Sequence, residues 1–270
     1  MNLQDIEKQF DDILRLAQDF TEVYNVEKNK FPYHLNVIKE LHDDENSHTR
    51  ILMKLLGYKD GAEYPLLKSF INRMNSYCDD NADIKILKPS ITTEHCIDKG
   101  NRRIDGLIME ENKYAIIIEN KIMGACDLEE QIADYVKYAK KRVVNNEKIF
   151  VVYLTKNGEK KVSDCSLTDE TKYILGNRYI PMSFQYDLIP WLEEDVLPNC
   201  KVKEKCLVTA VYQYVDYLKD MCGMLDYQKE ARKKALNKIL DSMEDYKISD
   251  MKFIFYNNLL LTFQNGRSII

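Results

Sequence analysis

The pattern of apolar side chains changes from helical to strand-like about one third of the way along the chain. Residues 3–25 carry apolar side chains three and four positions apart, which predicts an amphipathic helix. Further helices are predicted after Pro32 through residue 41, from near Glu45 to a stop at Gly57, and over residues 64–78. From Ile84 onwards the pattern alternates or becomes continuously apolar, which predicts strands.

The order of the remaining elements predicts an α/β core wrapped in helices. Three strands are expected within residues 84–97, 102–110 and 113–122, followed by a helix over residues 127–141. A buried strand over residues 148–155, a polar loop over residues 156–172 and a weaker strand over residues 178–184 come next. Helices are predicted near residues 187–197 and 203–221. Residues 227–270 begin as a charged helix and end in an apolar segment, so we expect either that the chain is a fragment or that its end is a strand that pairs elsewhere.

Composition, charge and cysteine usage narrow the class of protein. With 45% hydrophobic and 31% charged residues, and only 9 Gly and 6 Pro, the chain is neither disordered nor fibrous. The net charge of -5 does not mark a protein that coats nucleic acid, although the basic residues crowded between positions 137 and 161 could form a local groove or a solvated face. Seven cysteines without a CxxC pair, no signal peptide and no long apolar run lead us to expect a cytoplasmic protein without a membrane span.

A polar cluster is predicted where residues 102–110 and 113–122 pair as a hairpin. A turn centred between the two apolar runs puts Asp105 opposite Glu119 or the residue before it. Because side chains alternate along a strand, Glu119 and Lys121 share one face, and the intervening isoleucines pack on the other. A register slip of one residue would turn Asp105 away from them.

This cluster has the side chains needed to hydrolyse a phosphodiester. Two close carboxylates repel each other unless a cation lies between them, so Asp105 and Glu119 would suit Mg²⁺ or Mn²⁺, with the backbone carbonyl of Asn120 as a further ligand. Lys121 could hold or deprotonate a metal-bound water, or neutralise charge that develops on a phosphate. Gln131 and Tyr135 are four residues apart and share a helix face, from which they could position the lysine or contact a phosphate. The alternative for any one of these residues is an ion pair at a strand edge.

The ordered motifs RRID, IIIENKI and QIADY resemble those of the PD-(D/E)XK nuclease superfamily, and closely resemble its RecB-like branch. Upstream, HDDENSHTRILMKLLGY resembles the N-terminal helix segment of stand-alone bacterial members, and the likeness runs from about residue 35 to residue 222. Ile104 stands where the superfamily name has proline. The resemblance implies a restriction-endonuclease-like core of order αβββαβ with a mixed sheet and extra terminal helices.

The resemblance also implies a role for each matching residue. Asp105 and Glu119 would bind the divalent metal, Lys121 would act on the nucleophilic water or the transition state, and Gln131 and Tyr135 would support the site. Glu45 would be an additional metal ligand from the first core helix, although an acidic residue at a helix start more simply complements the helix dipole.

Two adjacent arginines and the domain boundaries complete the set of expectations. Arg102 and Arg103 could bind the substrate backbone, or could neutralise Asp105. We expect N-terminal helices over residues 1–43, a nuclease core over residues 44–222 and a C-terminal helical extension over residues 223–270. The substrate expected by analogy is DNA, and a homo-oligomer remains open. A non-catalytic nucleic-acid-binding or assembly protein on the same fold, and an RNA-directed nuclease, remain alternatives.

Overall fold

The structure, a computed structural model, describes residues 3–31, 35–41, 43–78, 84–97, 102–199 and 205–242. The chain forms two compact units, one of residues 36–218 and the other of residues 1–35 and 219–270. The predicted domain boundaries near residues 43 and 222 stay a prediction.

The smaller unit is built from the predicted N-terminal helix and the predicted charged helix. α1 (Leu3–Lys28) packs on α9 (Asp226–Ser242) around a small apolar cluster of Leu16, Phe20, Ala235 and Ile239. Both helices were expected from their spacing of apolar and charged residues. The apolar segment of residues 252–270 lies outside the described residues.

The larger unit contains a five-stranded mixed sheet, as the α/β prediction requires. Its strands are β1 (Ser90–Ile97), β2 (Arg102–Glu110), β3 (Tyr114–Lys121), β4 (Ile149–Thr155) and β5 (Tyr179–Ser183), adjacent in space in chain order. β1, β2 and β3 are antiparallel, whereas β4 and β5 run parallel to β3. The C-terminal ends of β3, β4 and β5 therefore meet at the same edge of the sheet.

The β2–β3 hairpin has one of the two expected registers. Glu110 pairs with Tyr114 and Gly106 with Ile118, around a three-residue loop in which Asn112 has a φ of 62°. Asn is among the residues that tolerate this left-handed conformation. The ladder ends at the Gly106–Ile118 pair, so Asp105 and Glu119 are the next residues on the two strands.

Helices cover both faces of the sheet. α3 (Glu45–Leu56) and α4 (Pro65–Asn75) precede the sheet, and α5 (Gln131–Lys140) connects β3 to β4. α5 packs on a buried cluster that contains Leu107, Ile117 and Val151. On the α3 side, a Cβ at Gly106 would lie 2.9 Å from Met53 Sδ and 3.2 Å from Ile118 Cβ, so glycine allows the close approach of α3 at this position. Within the described residues, no helix is long and apolar enough to cross a membrane.

Several element predictions were wrong in extent: β1 begins only at Ser90 and α5 only at Gln131, and two short helices also differ. The helix expected after Pro32 is only α2 (Val37–Glu40), because the side chain of Asn36 caps it by accepting the N–H of Ile38; residues 32–34 lie outside the described residues. The predicted loop of residues 156–172 contains the start of α6 (Asp169–Leu175), whose first turn is polar and is capped by Thr168. A short helix of this kind shows no apolar periodicity.

The remaining helices follow the prediction with local changes of type. Short 3₁₀ turns occupy Asn146–Lys148 and Gly176–Arg178. The segment expected to be one helix near residues 187–197 consists of π-helical turns at Phe184–Leu188 and Trp191–Val196 that lead into α7 (Leu197–Asn199). α8 (Lys205–Met221) follows. Trp191 is fully buried in the core.

Candidate active site

Glu119 and Lys121 form a buried ion pair at the C-terminal end of β3. Lys121 Nζ lies 2.8 Å from Glu119 Oε1, and the two side chains are only 5% and 1% exposed. The three isoleucines before Glu119 are all fully buried, so the polar pair is held on a rigid strand. Glu119 Oε2 is buried and has no hydrogen-bond partner within the described part of the chain. A carboxylate oxygen in this state lacks the cation or donor that would compensate its burial.

Asp105 approaches this pair from β2. Its Oδ2 accepts a hydrogen bond of 2.9 Å from the backbone N–H of Asn120, one step beyond the Gly106–Ile118 pair. The Asp105 carboxylate is also close enough to Glu119 for its charge to raise the pKa of that residue. The structure thus brings Asp105 near Glu119, and their roles as metal ligands stay a prediction.

The shifts in pKa show that the ionised forms of Asp105 and Glu119 are destabilised in this position. Burial raises the pKa of Glu119 to about 8, and the charge of Asp105 contributes to the rise. Burial also raises the pKa of Asp105, although the Asn120 N–H and the charge of Lys121 oppose the shift. Burial alone would lower the pKa of Lys121, but the carboxylates around it outweigh that effect and the net shift is upward. A second cation would relieve this repulsion.

Gln131 and Tyr135 reach the pair from the first turns of α5. Gln131 Nε2 donates to Glu119 Oε1 at 2.8 Å and lies 2.9 Å from the hydroxyl of Tyr135. The Tyr135 hydroxyl in turn donates to the backbone carbonyl of Arg103 on β2 at 2.6 Å. Both side chains are buried, and the two residues share the helix face that their spacing predicted. They connect α5 to both β2 and β3.

The side chain of Asn120 faces the opposite helix, α3. Its Nδ2 donates to the carbonyl of Glu45 at 2.9 Å and to Thr49 Oγ1 at 3.1 Å, and its Oδ1 accepts the N–H of Ile122. The Glu45 carboxylate accepts backbone N–H groups of the loop after β3, at Met123 and Ala125. Its charge also contributes to raising the pKa of Asp105. Glu45 is thus close to Asp105, but its place as a metal ligand, like that of the Asn120 carbonyl, stays a prediction.

Asp127 belongs to the same cluster and was missed by sequence reasoning. Its side chain is 2% exposed, and its Oδ1 lies 3.7 Å from Lys121 Nζ. Tyr153 on β4 donates to Oδ1 at 2.9 Å, and the N–H of Ser163 donates to Oδ2 at 2.8 Å. The residue was included in the predicted helix of residues 127–141, whereas α5 begins only at Gln131. No spacing rule brings a loop carboxylate against a strand lysine, so the sequence contained no direct signal for it.

The two arginines and His48 are engaged elsewhere. Arg102 Nε pairs with Asp134 at 3.0 Å, and a terminal nitrogen of Arg103 pairs with Glu94 at 3.1 Å. Substrate binding by these arginines stays a prediction. The buried His48 lies between Asp43 and Tyr214, whose oxygens are 2.7 Å and 3.1 Å from its ring nitrogens, so its ring is held by contacts within the fold. Among the described residues, no group of three or more His, Cys, Asp or Glu side chains is close enough together to hold a metal ion by itself.

One of three comparisons with known proteins identifies the family of this chain. A family model described as the PD-(D/E)XK nuclease superfamily matches residues 34–216, which is more than half of the 270 residues. Searches of curated proteins and of solved structures each gave no match. The matched range contains all five strands and the Asp105, Glu119 and Lys121 cluster, and the mixed sheet with its flanking helices is of the predicted restriction-endonuclease-like type. The narrower assignment to the RecB-like branch stays a prediction. From the family match, and from the ordered motifs that meet at one end of β3, we conclude that the chain belongs to the PD-(D/E)XK nuclease superfamily.

Proposed function

We propose that this protein is a divalent-metal-dependent nuclease that hydrolyses phosphodiester bonds of DNA at the cluster of Asp105, Glu119 and Lys121. The observation that carries the proposal is Glu119 Oε2, a buried carboxylate oxygen without a partner in the described chain. The other oxygen of the same carboxylate is contacted by both Lys121 and Gln131. One oxygen of the Glu119 carboxylate thus contacts protein side chains, and the second is available to a ligand.

The donor set suits a hard divalent cation. Asp105 and Glu119 supply carboxylate oxygens, which Mg²⁺ and Mn²⁺ prefer, and the upward pKa shifts of both residues are those expected for carboxylates that lack their cation. Asp105, Glu119, the Asn120 carbonyl and Glu45 would hold the metal. Within the described residues no group of three or more His, Cys, Asp or Glu side chains is placed to hold an ion by itself, so water and substrate phosphate would complete the coordination of Mg²⁺. Bound in this position, the ion supplies Lewis-acid polarisation of the phosphate and a lowered pKa for water.

Lys121 provides a positively charged side chain at the site. Its ammonium group donates to Glu119 and to the backbone carbonyl of Cys126 at 3.3 Å, which fixes the direction of the side chain. The carboxylates around it raise its pKa, so it carries a proton at neutral pH. A fixed, protonated ammonium group can orient the attacking water and stabilise negative charge on the phosphate oxygens.

Gln131 and Tyr135 hold this geometry rather than move protons. The Gln131 amide fixes Glu119 Oε1, and the Tyr135 hydroxyl fixes the backbone at Arg103 next to Asp105. Burial raises the pKa of Tyr135 far above neutrality, so its hydroxyl stays a donor. The two α5 residues therefore keep the β2 and β3 carboxylates at a constant separation.

The test is cleavage of plasmid DNA, single-stranded DNA and RNA with Mg²⁺, with Mn²⁺ and with a chelator. The wild-type protein is compared with Asp105→Asn and Lys121→Met, and with Glu170→Gln as a control that removes an exposed carboxylate on α6. We expect metal-dependent cleavage that falls by at least about 100-fold in the two site variants and stays unchanged in the control. Equal cleavage in all four proteins would contradict the proposal.

The same assay separates the alternatives. DNA binding without cleavage in any metal would favour a non-catalytic binding or assembly protein on this fold, and cleavage confined to RNA would favour an RNA-directed enzyme. We also infer a reducing, cytoplasmic setting, because the cysteines of the described residues are free thiols and several of them, such as Cys96 and Cys165, are exposed.

A further inference from the structure

A pocket opens beside the active-site cluster, at the C-terminal ends of β4 and β5. Its volume is about 480 Å³, within the range of sites that hold small molecules. The walls combine four tyrosines with two lysines. The residues on which the inference depends are Tyr77, Tyr153, Tyr179, Tyr186, Lys160 and Lys161.

The strand register joins this pocket to the active-site cluster. Tyr153 on β4 pairs with Glu119 and Thr155 pairs with Lys121 across the parallel β3–β4 ladder. Ser183 on β5 pairs with Thr155 in the next ladder. Paired residues point to the same face of a sheet and neighbouring strands lie about 4.8 Å apart, so the pocket begins one strand, or about 5 Å, from the cluster on the same face. One nucleotide of an unstacked strand can span this distance.

Two of the tyrosines present exposed rings at the pocket. Tyr77 is 37% exposed and Tyr186 is 51% exposed, whereas Tyr153 is buried and forms part of the wall. Exposed aromatic rings beside a basic groove are the usual platform for an unpaired base, because every base has a face that can stack. Tyr77 is anchored through its hydroxyl to Asp187, so its ring has a fixed place at the rim.

The charge of the pocket suits a phosphate. Lys160 is half-buried, Lys161 is exposed, and neither forms an ion pair with any carboxylate of the described residues. Asp187 is the acidic residue of the lining, and its oxygens already accept hydrogen bonds from the Tyr77 hydroxyl and from the N–H and hydroxyl of Ser183. Two uncompensated ammonium groups therefore remain for an anionic ligand.

We propose that this pocket binds the nucleotide next to the scissile phosphate in an unstacked conformation, with its base against Tyr186 and Tyr77 and its phosphate at Lys160 and Lys161. The inference rests on the proposed nuclease function and names its substrate class, which is nucleic acid with an unpaired segment or a frayed end. A base inside an intact double helix is stacked and paired, so it cannot enter a cavity of this kind without being extruded.

The test measures binding without cleavage, in the presence of a chelator. Fluorescence anisotropy follows a labelled oligothymidylate and a blunt-ended duplex of two annealed strands with the same number of phosphates. The variants are Tyr186→Ala and the double substitution Lys160→Ala with Lys161→Ala. The controls are Tyr173→Ala, which removes a tyrosine that is 90% exposed on α6, and Lys229→Ala with Lys234→Ala, which removes two lysines from α9. Thermal unfolding verifies that each variant is folded.

We expect Tyr186→Ala to weaken binding of the oligothymidylate by about 5- to 100-fold while binding of the blunt duplex changes little. The double lysine variant should reduce the slope of log affinity against log salt by about 0.7 for each lysine that contacts a phosphate. Unchanged affinity and salt slope in both pocket variants, or equal losses in their controls, would overturn the inference.

Failure of the pocket and failure of the nuclease proposal give different results. If the protein cleaves in a metal-dependent way but its pocket variants bind like wild type, the pocket proposal is contradicted and the nuclease proposal is supported. If the pocket variants lose binding selectively but the protein cleaves no substrate, the nuclease proposal is contradicted. The pocket is then a binding site for unpaired nucleotides.

Discussion

Lys121 Nζ lies 3.7 Å from Asp127 Oδ1 and 2.8 Å from Glu119 Oε1. One buried ammonium group is thus shared between a strand carboxylate and a loop carboxylate. Asp127 is itself fixed by Tyr153 and by the N–H of Ser163. The position of the lysine therefore depends on the loop between β3 and α5 as well as on β3.

The first prediction concerns Asp127 as a residue that positions Lys121. Asp127→Asn keeps the shape of the side chain but removes its charge, so we expect metal-dependent cleavage to fall by about 10- to 100-fold. The charge of Asp127 helps to raise the pKa of Lys121, so the alkaline limb of the pH–rate profile should move to lower pH. The measurement is kcat as a function of pH.

A surface carboxylate provides the control for this experiment. Asp164 pairs with Lys172 at 2.7 Å, but its side chain is 93% exposed, so Asp164→Asn removes an ion pair that solvent already screens. We expect no change in rate or pH profile for this variant. A pH–rate profile of Asp127→Asn identical to that of wild type would show that Asp127 does not act through the lysine.

The second prediction is a dependence of metal-free stability on pH. The ordinary pKa of Glu119 is 4.5, and burial raises it to about 8 in the folded protein. Between these values the folded state holds a proton that the unfolded state has lost, so the stability from this group is fully present below about pH 4.5 and is lost as pH rises through about 8. Asp105 shifts in the same direction. Urea unfolding in a chelator should therefore give a free energy of unfolding that falls from pH 5 to pH 9.

Glu119→Gln is the matched variant for the pH experiment, because the amide has the shape of the protonated acid and does not titrate. Its free energy of unfolding should fall less steeply over the same range. Adding Mg²⁺ or Mn²⁺ should stabilise the wild-type protein at alkaline pH, by about 2.7 kcal/mol when the metal is at 100 times its Kd, and should have much less effect on the variant. Equal pH slopes in the two proteins would exclude Glu119 as the titrating group.

The sheet and the hairpin register were predictable from the sequence because they depend on local patterns. The apolar run before Glu119 and the polar break between the two runs set both the strands and their pairing, and alternation then placed Glu119 and Lys121 on one face. The spacing of Gln131 and Tyr135 placed both on the helix face that reaches Glu119. These inferences needed only periodicity and a short turn.

The contacts that depend on loops and on tertiary packing were not predictable in this way. Asp127 reaches Lys121 only because the loop after β3 folds back before α5 begins at Gln131. The pocket at Lys160 and Tyr186 forms between segments that follow two different strands, and its lysines looked in the sequence like part of a solvated basic stretch. Periodicity gives no information on how such loops turn.

The third prediction tests the close approach of α3 to the sheet. Gly106→Ala would place a Cβ 2.9 Å from Met53 Sδ and 3.2 Å from Ile118 Cβ, so we expect a loss of about 1 to 3 kcal/mol in the free energy of unfolding. The Met53 side chain can move more easily than the β-branched Ile118. Combining Gly106→Ala with Met53→Ala should therefore cost less than the sum of the two single changes, measured by urea unfolding. Strict additivity would show that α3 is not the element that requires glycine.

The last prediction concerns Asn120, the residue between the acid and the lysine of the motif. Its buried amide ties β3 to α3 through the Glu45 carbonyl and Thr49 Oγ1, and its Oδ1 satisfies the N–H of Ile122. Asn120→Ala leaves that N–H unpaired, so we expect a loss of about 1 to 3 kcal/mol in the free energy of unfolding. Asn120→Asp should cost more at neutral pH, because it sets a buried carboxylate against the Glu45 carbonyl. The exposed Asn146, changed to Ala and to Asp, is the control. If Asn120→Asp has the same free energy of unfolding as wild type, the hydrogen bonds from the Asn120 amide to α3 do not stabilise the fold.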